Sequence, residues 1–328
     1  MSTPQITTVM YHYVRPLEKS RFPKIKGLNL KAFEAQIDYL MLNYTILEPR
    51  TLRTILKDGK RAPKRSCILT FDDGYIDHFN YVFPVLATRG LKGFFFPPKS
   101  SLIDRKILSV NKIQFLLAEI SEPQQLKSRL DNTLADFGIQ NIGELIKKYY
   151  NSSRYDSAPI NYIKKLLQHA LPDKVREKII DKLFNECVTS DTASFCEELY
   201  LTLDQAKLMA DYGMEFGGHG DLHLWHDKCT EKELEREVSA SSQVVRSIHG
   251  NLKDPFYCYP FGGYDQHTLD CVKAAKFMAG FTVEPNLTKV NNGKILELAR
   301  LDTNDLPSNL TNKNNTLLLA TLYSPFEL

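Results

Sequence analysis

What this sequence lacks removes several classes of protein. Its six cysteines (Cys67, Cys187, Cys196, Cys229, Cys258, Cys271) lie scattered over 328 residues, and none forms a C-x-x-C pair. A chain of this length can bury its own core, so scattered thiols point to reduced cysteines rather than a disulfide frame or zinc knuckle. Charge of one sign is also scarce. With 42 basic and 39 acidic residues the formal charge is only +3, which gives no reason to expect a nucleic-acid or anionic-membrane partner. No stretch approaches the roughly 18 uninterrupted apolar residues of a membrane helix. The opening MSTPQITTVMYHYVRP has no basic patch followed by a long apolar run. A secretory leader is therefore not expected, and the cytoplasm, up to the inner face of its membrane, is the plain location. Internal repeats and low-complexity segments are absent too. A chain with 43% hydrophobic and 25% charged residues and none of these features is a soluble globular protein.

What is present is an alternation of short apolar strands with amphipathic helices, the pattern of an α/β fold. ITTVMYHYV reads as a first strand. Leu30, Phe33, Ile37, Leu40 and Met41 then share one helical face, with Asn29 as N-cap. TILEP and CILTF read as strands, HFNYVFPVLATRG as a helix closed by Gly90, and KGFFFP as the strand after it. From about 104 to 200 the pattern is helical, in SVNKIQFLLAEI, IGELIKKYY, NYIKKLLQHAL and DKVREKIIDKLFNECV. The alternation resumes with TLDQAKLMADYG, MEFGGHG, the long helix TEKELEREVSASSQVVRSIHG, FYCYPFG, DQHTLDCVKAAKF and AGFTVE. The simplest architecture is a single β/α barrel domain over 1–328 with a mainly helical insertion at about 104–200, too long for an ordinary loop. Glu231 to Glu237 reads as the solvent side of its helix.

In β/α barrels the working residues sit where strands end. Strand ends supply His12, the adjacent Asp72 and Asp73, His219 and His223, and the turn YPFGGY. Carboxylates, imidazoles and a glycine-rich turn make a kit for a metal and hydrolysis. In HGDLH the two histidines are four apart among glycines, so a strand-end loop curling into a turn can aim both rings at one ion. The residue after His219 is Gly and not Glu, so this is not the metalloprotease helix motif. Taken singly, each feature has a plain reading: surface-loop histidines, or an Asp-Gly turn. Their occurrence in order, each at a strand end, favours a site.

That combination resembles the polysaccharide deacetylases of the NodB-homology type, carbohydrate esterase family 4. The family's T-F-D-D-G is matched by Thr70 to Gly74. Its H-[ST]-x-x-H is matched at His219 and His223, with Gly220 at the Ser/Thr position. Its R-x-P-Y-G is matched at Pro260, Phe261 and Gly262, with Cys258 in place of Arg. The family's late histidine is missing, since the last His is His267 and the tail NLTNKNNTLLLATLYSPFEL has none. VMYHYV instead looks like the opening strand of a permuted branch in which the first strand supplies that histidine, here His12.

The resemblance implies a distorted (β/α) barrel and a hydrolase that removes an N-acetyl group from an amino sugar. Asp73, His219 and His223 would hold a divalent metal, zinc first, with cobalt, nickel or iron(II) also suited to the donor set. Asp72 would be general base and His12 general acid. The Tyr259, Pro260, Phe261, Gly262 turn would face substrate, with the Phe261 N–H as oxyanion donor. Arg300, in LELARLD, is the candidate to replace the missing Arg, or else a surface ion pair. Trp225 either lines the sugar site or belongs to the core, and His78 reads as structural. The expected partner is an N-acylated saccharide, nucleotide-linked or lipid-linked, from surface-polysaccharide or glycolipid synthesis. Two alternatives stay open: removal of formyl rather than acetyl, and a non-catalytic carbohydrate-binding protein.

Overall fold

The computed structural model describes residues 5–120, 122–153, 156–289 and 293–307. The histidine-free tail lies outside them. The first strand, β1 (Gln5–Tyr11), and β2 (Ser66–Asp72) are buried along nearly their whole length. Both are made almost entirely of apolar and β-branched residues, as strands covered on two faces must be. They pair in parallel from Ile6 opposite Ser66 to Tyr11 opposite Phe71. β3 (Phe94–Phe96) adds to β2, and β4 (Glu215–Phe216) adds to β3, both in parallel.

The sheet then curls closed. Gly218 bridges to Tyr257 of β5 (Phe256–Cys258), which pairs with β6 (Ala279–Phe281). Phe281 bridges to Leu298, and β7 (Leu301–Asp302) returns to β1. Every step is parallel, so these seven strands form a barrel, distorted because two of its joints are single bridges. Glycine makes the first of these joints possible. A Cβ on Gly217 would lie 2.4 Å from the Phe256 carbonyl oxygen, and one on Gly218 would lie 2.4 Å from Ser241 Cβ.

Strand alternation decides which side chains enter the barrel. Ile6, Ile68, Phe94, Phe96, Phe256, Cys258, Phe281 and Leu298 form one cluster, while Val9, Tyr11, Leu69, Phe71, Phe95 and Phe216 pack with the surrounding helices. Asp72 shares its parity with Ile68 and Thr70, so it lies at the top of the interior.

The chain forms two compact units. One comprises residues 1–16, 27–105 and 197–328, and the other 17–26 and 106–196. The second unit has its own core, including Leu116, Leu130, Tyr162, Leu166, Ile180 and Leu183. Its helices include Ser109–Glu119, Pro123–Asp136, Ile142–Tyr149, Ala158–Lys165 and Asp173–Cys187. Pro123–Asp136 escapes sequence reading because it is mostly polar, with Leu126, Leu130 and Leu134 as its buried leucines.

Elsewhere the expected elements form, with local differences. Asn29 Oδ1 accepts the Lys31 amide at 3.1 Å and caps the helix Leu30–Asn43, but Met41 falls off the buried face and is 44% exposed. The helix expected from His78 opens with a π turn, His78–Val82, before Phe83–Thr88. Pro84, which lacks an N–H, lies just after it and cannot continue a regular ladder there. Glu237 is a clear correction: on the long helix Glu231–His249 it is fully buried rather than wet.

Phe94 sits inside the barrel edge-on to Phe256 and Phe281, at 5.0 and 5.9 Å between ring centroids. Phe94→Ala should cost about 3–5 kcal/mol in urea unfolding, and a loss below about 1 kcal/mol would show that this interior is not close-packed.

Candidate active site

The end of β2 separates two neighbouring carboxylates. Asp72, the last residue of the strand, points into the barrel. Asp73 and Gly74 then adopt positive φ values of 72° and 67°. Asp tolerates this left-handed region better than most residues, and at position 74 a Cβ would lie 2.5 Å from Pro97 Cβ. The turn carries the Asp73 carboxylate away from that of Asp72. Asp73 Oδ2 accepts the Tyr75 hydroxyl at 2.5 Å. Its Oδ1 is buried, accepts no hydrogen bond, and lies 3.4 Å from His219 Nε2 and 3.2 Å from His223 Nε2.

Both imidazoles come from the loop after β4. His219 Nδ1 donates to the Cys258 carbonyl at 2.7 Å, which fixes the tautomer and leaves Nε2 a lone pair. Gly220 and His223 have positive φ of 76° and 58°, so the loop turns back on itself and brings the two rings to 4.8 Å. On one side, the Gly220 and Asp221 carbonyls accept the amides of Lys99 and Ser100 at 3.1 and 3.2 Å.

One ligand atom from each of Asp73, His219 and His223 falls within 4.8 Å of the other two. Two imidazole nitrogens, a carboxylate oxygen and an otherwise orphaned buried oxygen between them fit a first-row divalent cation. Asp72, His219 and Cys258 form a second group of the same compactness. It is the poorer cradle because Asp72 already faces a full positive charge.

That charge is Arg300. Its Nη1 donates to Asp72 Oδ1 at 2.9 Å and its Nη2 lies 2.8 Å from Oδ2. Nε donates to the Thr282 carbonyl at 2.6 Å and Nη1 also to Thr70 Oγ1 at 3.2 Å, so the fork is fixed from three directions. Burial pushes the Asp72 carboxyl upward, but the Arg300 guanidinium, helped by His219 and His12, outweighs it and holds the group at about 2. Arg300 is thus buried rather than in a surface pair, and it lies just before β7. Cys258, at the position of the family's Arg, has its thiol 3.4 Å from Asp72 Oδ2.

His12 stands across from this pair, its Nε2 3.9 Å from Asp72 Oδ2 and its side chain 38% exposed. His78, buried under it, has its Nε2 3.0 Å from the His12 carbonyl. In the turn after β5, Phe261 has φ of 56° and Gly262 of 71°, and a Cβ on Gly262 would meet Val283 at 2.2 Å. Tyr259 and Pro260 are buried, with the Tyr259 hydroxyl donating to the Leu296 carbonyl. The Phe261 ring meets His223 edge-on at 4.4 Å and stacks flat on Trp225 at 4.6 Å, so one face of Trp225 is already covered.

The structure therefore brings Asp72, Asp73, His219, His223, Arg300 and His12 together and sets Phe261 and Trp225 on their flank. Tyr75 and Glu237 also support this arrangement and were missed in the sequence, while Thr70, read there only as part of the motif, accepts from Arg300.

Comparison with known proteins bears on the fold. Residues 178–280 match the polysaccharide deacetylase family model. The T-F-D-D-G turn lies outside that match, on the far side of the helical run. The Bacillus subtilis (strain 168) protein YxkH, itself described only provisionally as a polysaccharide deacetylase, is 32% identical over 93 residues. That stretch covers 28% of this chain and 31% of the relative. Among solved structures, the Streptococcus pyogenes deacetylase PplD in complex with acetate superposes with a TM-score of 0.56 at 17% identity, covering 98% of this chain and 99% of that one. IcaB from Ammonifex degensii gives 0.56 at 15% identity, covering 98% of each chain. A de-N-acetylase from Aggregatibacter actinomycetemcomitans gives 0.53 at 15%, covering 91% and 95%. The fold is thus the distorted (β/α) barrel of NodB-type deacetylases. Within the chain, residues 178–280 resemble the polysaccharide deacetylase family, and the match to YxkH spans about a third of that relative's length.

If the three-residue cradle holds the ion, wild type reconstituted with zinc and desalted should retain about one equivalent by elemental mass spectrometry. Asp73→Ala and His223→Ala should each retain less than about a tenth of that; retention at the wild-type level by both would rule the cradle out.

Proposed function

We propose that this chain is a metal-dependent carbohydrate N-deacetylase of the permuted branch. The observation that carries the reading is the pairing of two buried acids with different partners: Asp73 between two imidazoles, and Asp72 beside it on Arg300. A divalent cation on Asp73, His219 and His223, zinc first, would supply an acidified water and polarise the acyl carbonyl. Asp72, kept ionised by Arg300, would take the proton of the attacking water. It is a weak base, so its use lies in position and constant charge. Arg300 would be a positioning residue, doing the work of the missing third-motif Arg. The Phe261 N–H, directed by the left-handed turn, would donate to the oxyanion. His12, exposed on the other side of Asp72, would protonate the departing amine.

The substrate of this reading is an N-acylated amino sugar, free, nucleotide-linked or lipid-linked, handled during surface-polysaccharide or glycolipid synthesis. The names of the similar structures, a deacetylase seen with acetate and a de-N-acetylase, support the acetyl group. All six cysteines are free, which supports a reducing compartment such as the cytoplasm. Among the described residues, no helix is long and apolar enough to cross a membrane.

Wild type and Asp72→Ala, incubated with a panel of N-acetyl and N-formyl saccharides, sugar nucleotides and lipid-linked sugars, should differ by release of one acyl group, read by mass spectrometry. Asp72→Ala and His12→Ala should each lower kcat by about 10²–10⁴-fold. No release from any N-acylated sugar by the zinc-loaded wild type would reject the proposal.

The Arg300 assignment has its own test. Arg300→Ala should abolish turnover, and adding Cys258→Arg, which returns a guanidinium from β5, should recover at least about tenfold of it. A double variant no better than the single would place the role of Arg300 in packing alone.

A further inference from the structure

Glu237 is a fully buried acid on the helix Glu231–His249. Its Oε2 accepts the Asp221 amide at 2.9 Å, and the Leu222 amide donates to Oε1 at 3.0 Å and to Oε2 at 3.3 Å. One turn later on the same helix, Ser241 Oγ accepts the Gly220 amide at 2.7 Å and donates to the Glu237 carbonyl at 3.1 Å. Three consecutive amides between His219 and His223 are therefore taken by one helix. The carbonyls of Gly220 and Asp221 are taken from the opposite side by the amides of Lys99 and Ser100. The segment belongs to no helix and no strand, so its course is set by these partners. Gly220 fits the same design. A Cβ there would lie 2.4 Å from Glu237 Oε2, and its φ of 76° suits glycine. This accounts for glycine at a position where the family has Ser or Thr.

Two imidazoles can share one ion only if both nitrogens stay within a few tenths of an ångström of their places. Removing the Glu237 carboxylate would take the acceptor from the Asp221 and Leu222 amides and let the segment between the rings relax. We propose that Glu237 is a positioning residue for the cation site: by holding the Asp221 and Leu222 amides it keeps His219 and His223 in ligating register and so sets metal affinity. The proposal rests on the metal site of the preceding section.

The test is zinc affinity, read by competition with a chromophoric chelator, for wild type, Glu237→Ala, Glu237→Gln and Val244→Ala, together with thermal melting of each metal-free protein. Val244 is a buried residue of the same helix, two turns on, and controls for loss of stability alone. Glu237→Ala should bind zinc about 10- to 100-fold more weakly, and Glu237→Gln, which keeps one acceptor oxygen, about 3- to 10-fold more weakly. Val244→Ala should melt earlier yet keep wild-type affinity. Zinc added well above the weakened Kd should return most of the kcat of Glu237→Ala. The proposal is overturned if both Glu237 variants bind like wild type, or if Val244→Ala weakens binding as much as Glu237→Ala does. Should Glu237→Ala fail to fold, Glu237→Gln decides alone, wild-type affinity overturning the proposal and a weaker affinity at unchanged melting supporting it. Wild type that binds no zinc would instead bring down the metal site itself, and this inference with it.

Discussion

Asp72 and Asp73 are neighbours in sequence and each is only 2% exposed. Two buried carboxylates side by side repel and lose their hydration, a combination that normally forces one of them to protonate. Here each has its own positive or ligating surroundings. Arg300 reaches across the barrel to Asp72, and two imidazole nitrogens flank Asp73. Burial acts to raise both carboxyls, yet the balance of these partners holds both below the ordinary range. The pair is tolerable because the fold divides it between two partners.

That division is a consequence of backbone geometry. Strand parity sends Asp72 inward over Thr70, and the left-handed step at Asp73 and Gly74 swings the next carboxylate toward the loop after β4. Around it the barrel is closed by residues with little choice. Gly217 and Gly218 let β4 reach β5, and the closed circuit brings Arg300, over two hundred residues away in the chain, beneath Asp72. The polar partners of the His219–His223 loop come from two helices, Glu231–His249 and Lys99–Leu102, so its shape is determined from outside.

Much of the barrel was legible because its strands are short apolar runs and its helices carry plain amphipathic faces. The Asn29 cap and the order of elements followed directly. The cluster of Asp72, Asp73, His219 and His223 was legible as strand-end chemistry joined to three motifs. Arg300 was harder, since nothing in LELARLD shows that its guanidinium meets Asp72. Only the closure of the barrel brings the two together. Glu237 was misread because Glu231, Glu233 and Glu235 precede it and make the segment look wet. The counter-signal was present: Leu234, Val238, Ser241 and Val245 define a buried stripe, and Glu237 lies on it. A carboxylate on such a stripe needs donors, and here they are amides of the His219–His223 loop. Pro123–Asp136 failed for the opposite reason, having too few apolar residues to announce a helix.

The two compact candidate sites share His219 and differ in their remaining ligands, which makes them distinguishable by the elements bound to the ion. X-ray absorption at the zinc edge of the reconstituted protein reads those elements directly. The proposed site predicts a shell of nitrogen and oxygen at about 2.0–2.1 Å with the outer-shell pattern of two imidazoles. A sulfur at about 2.3 Å, or the signal of a single imidazole, would contradict it and move the ion to Cys258.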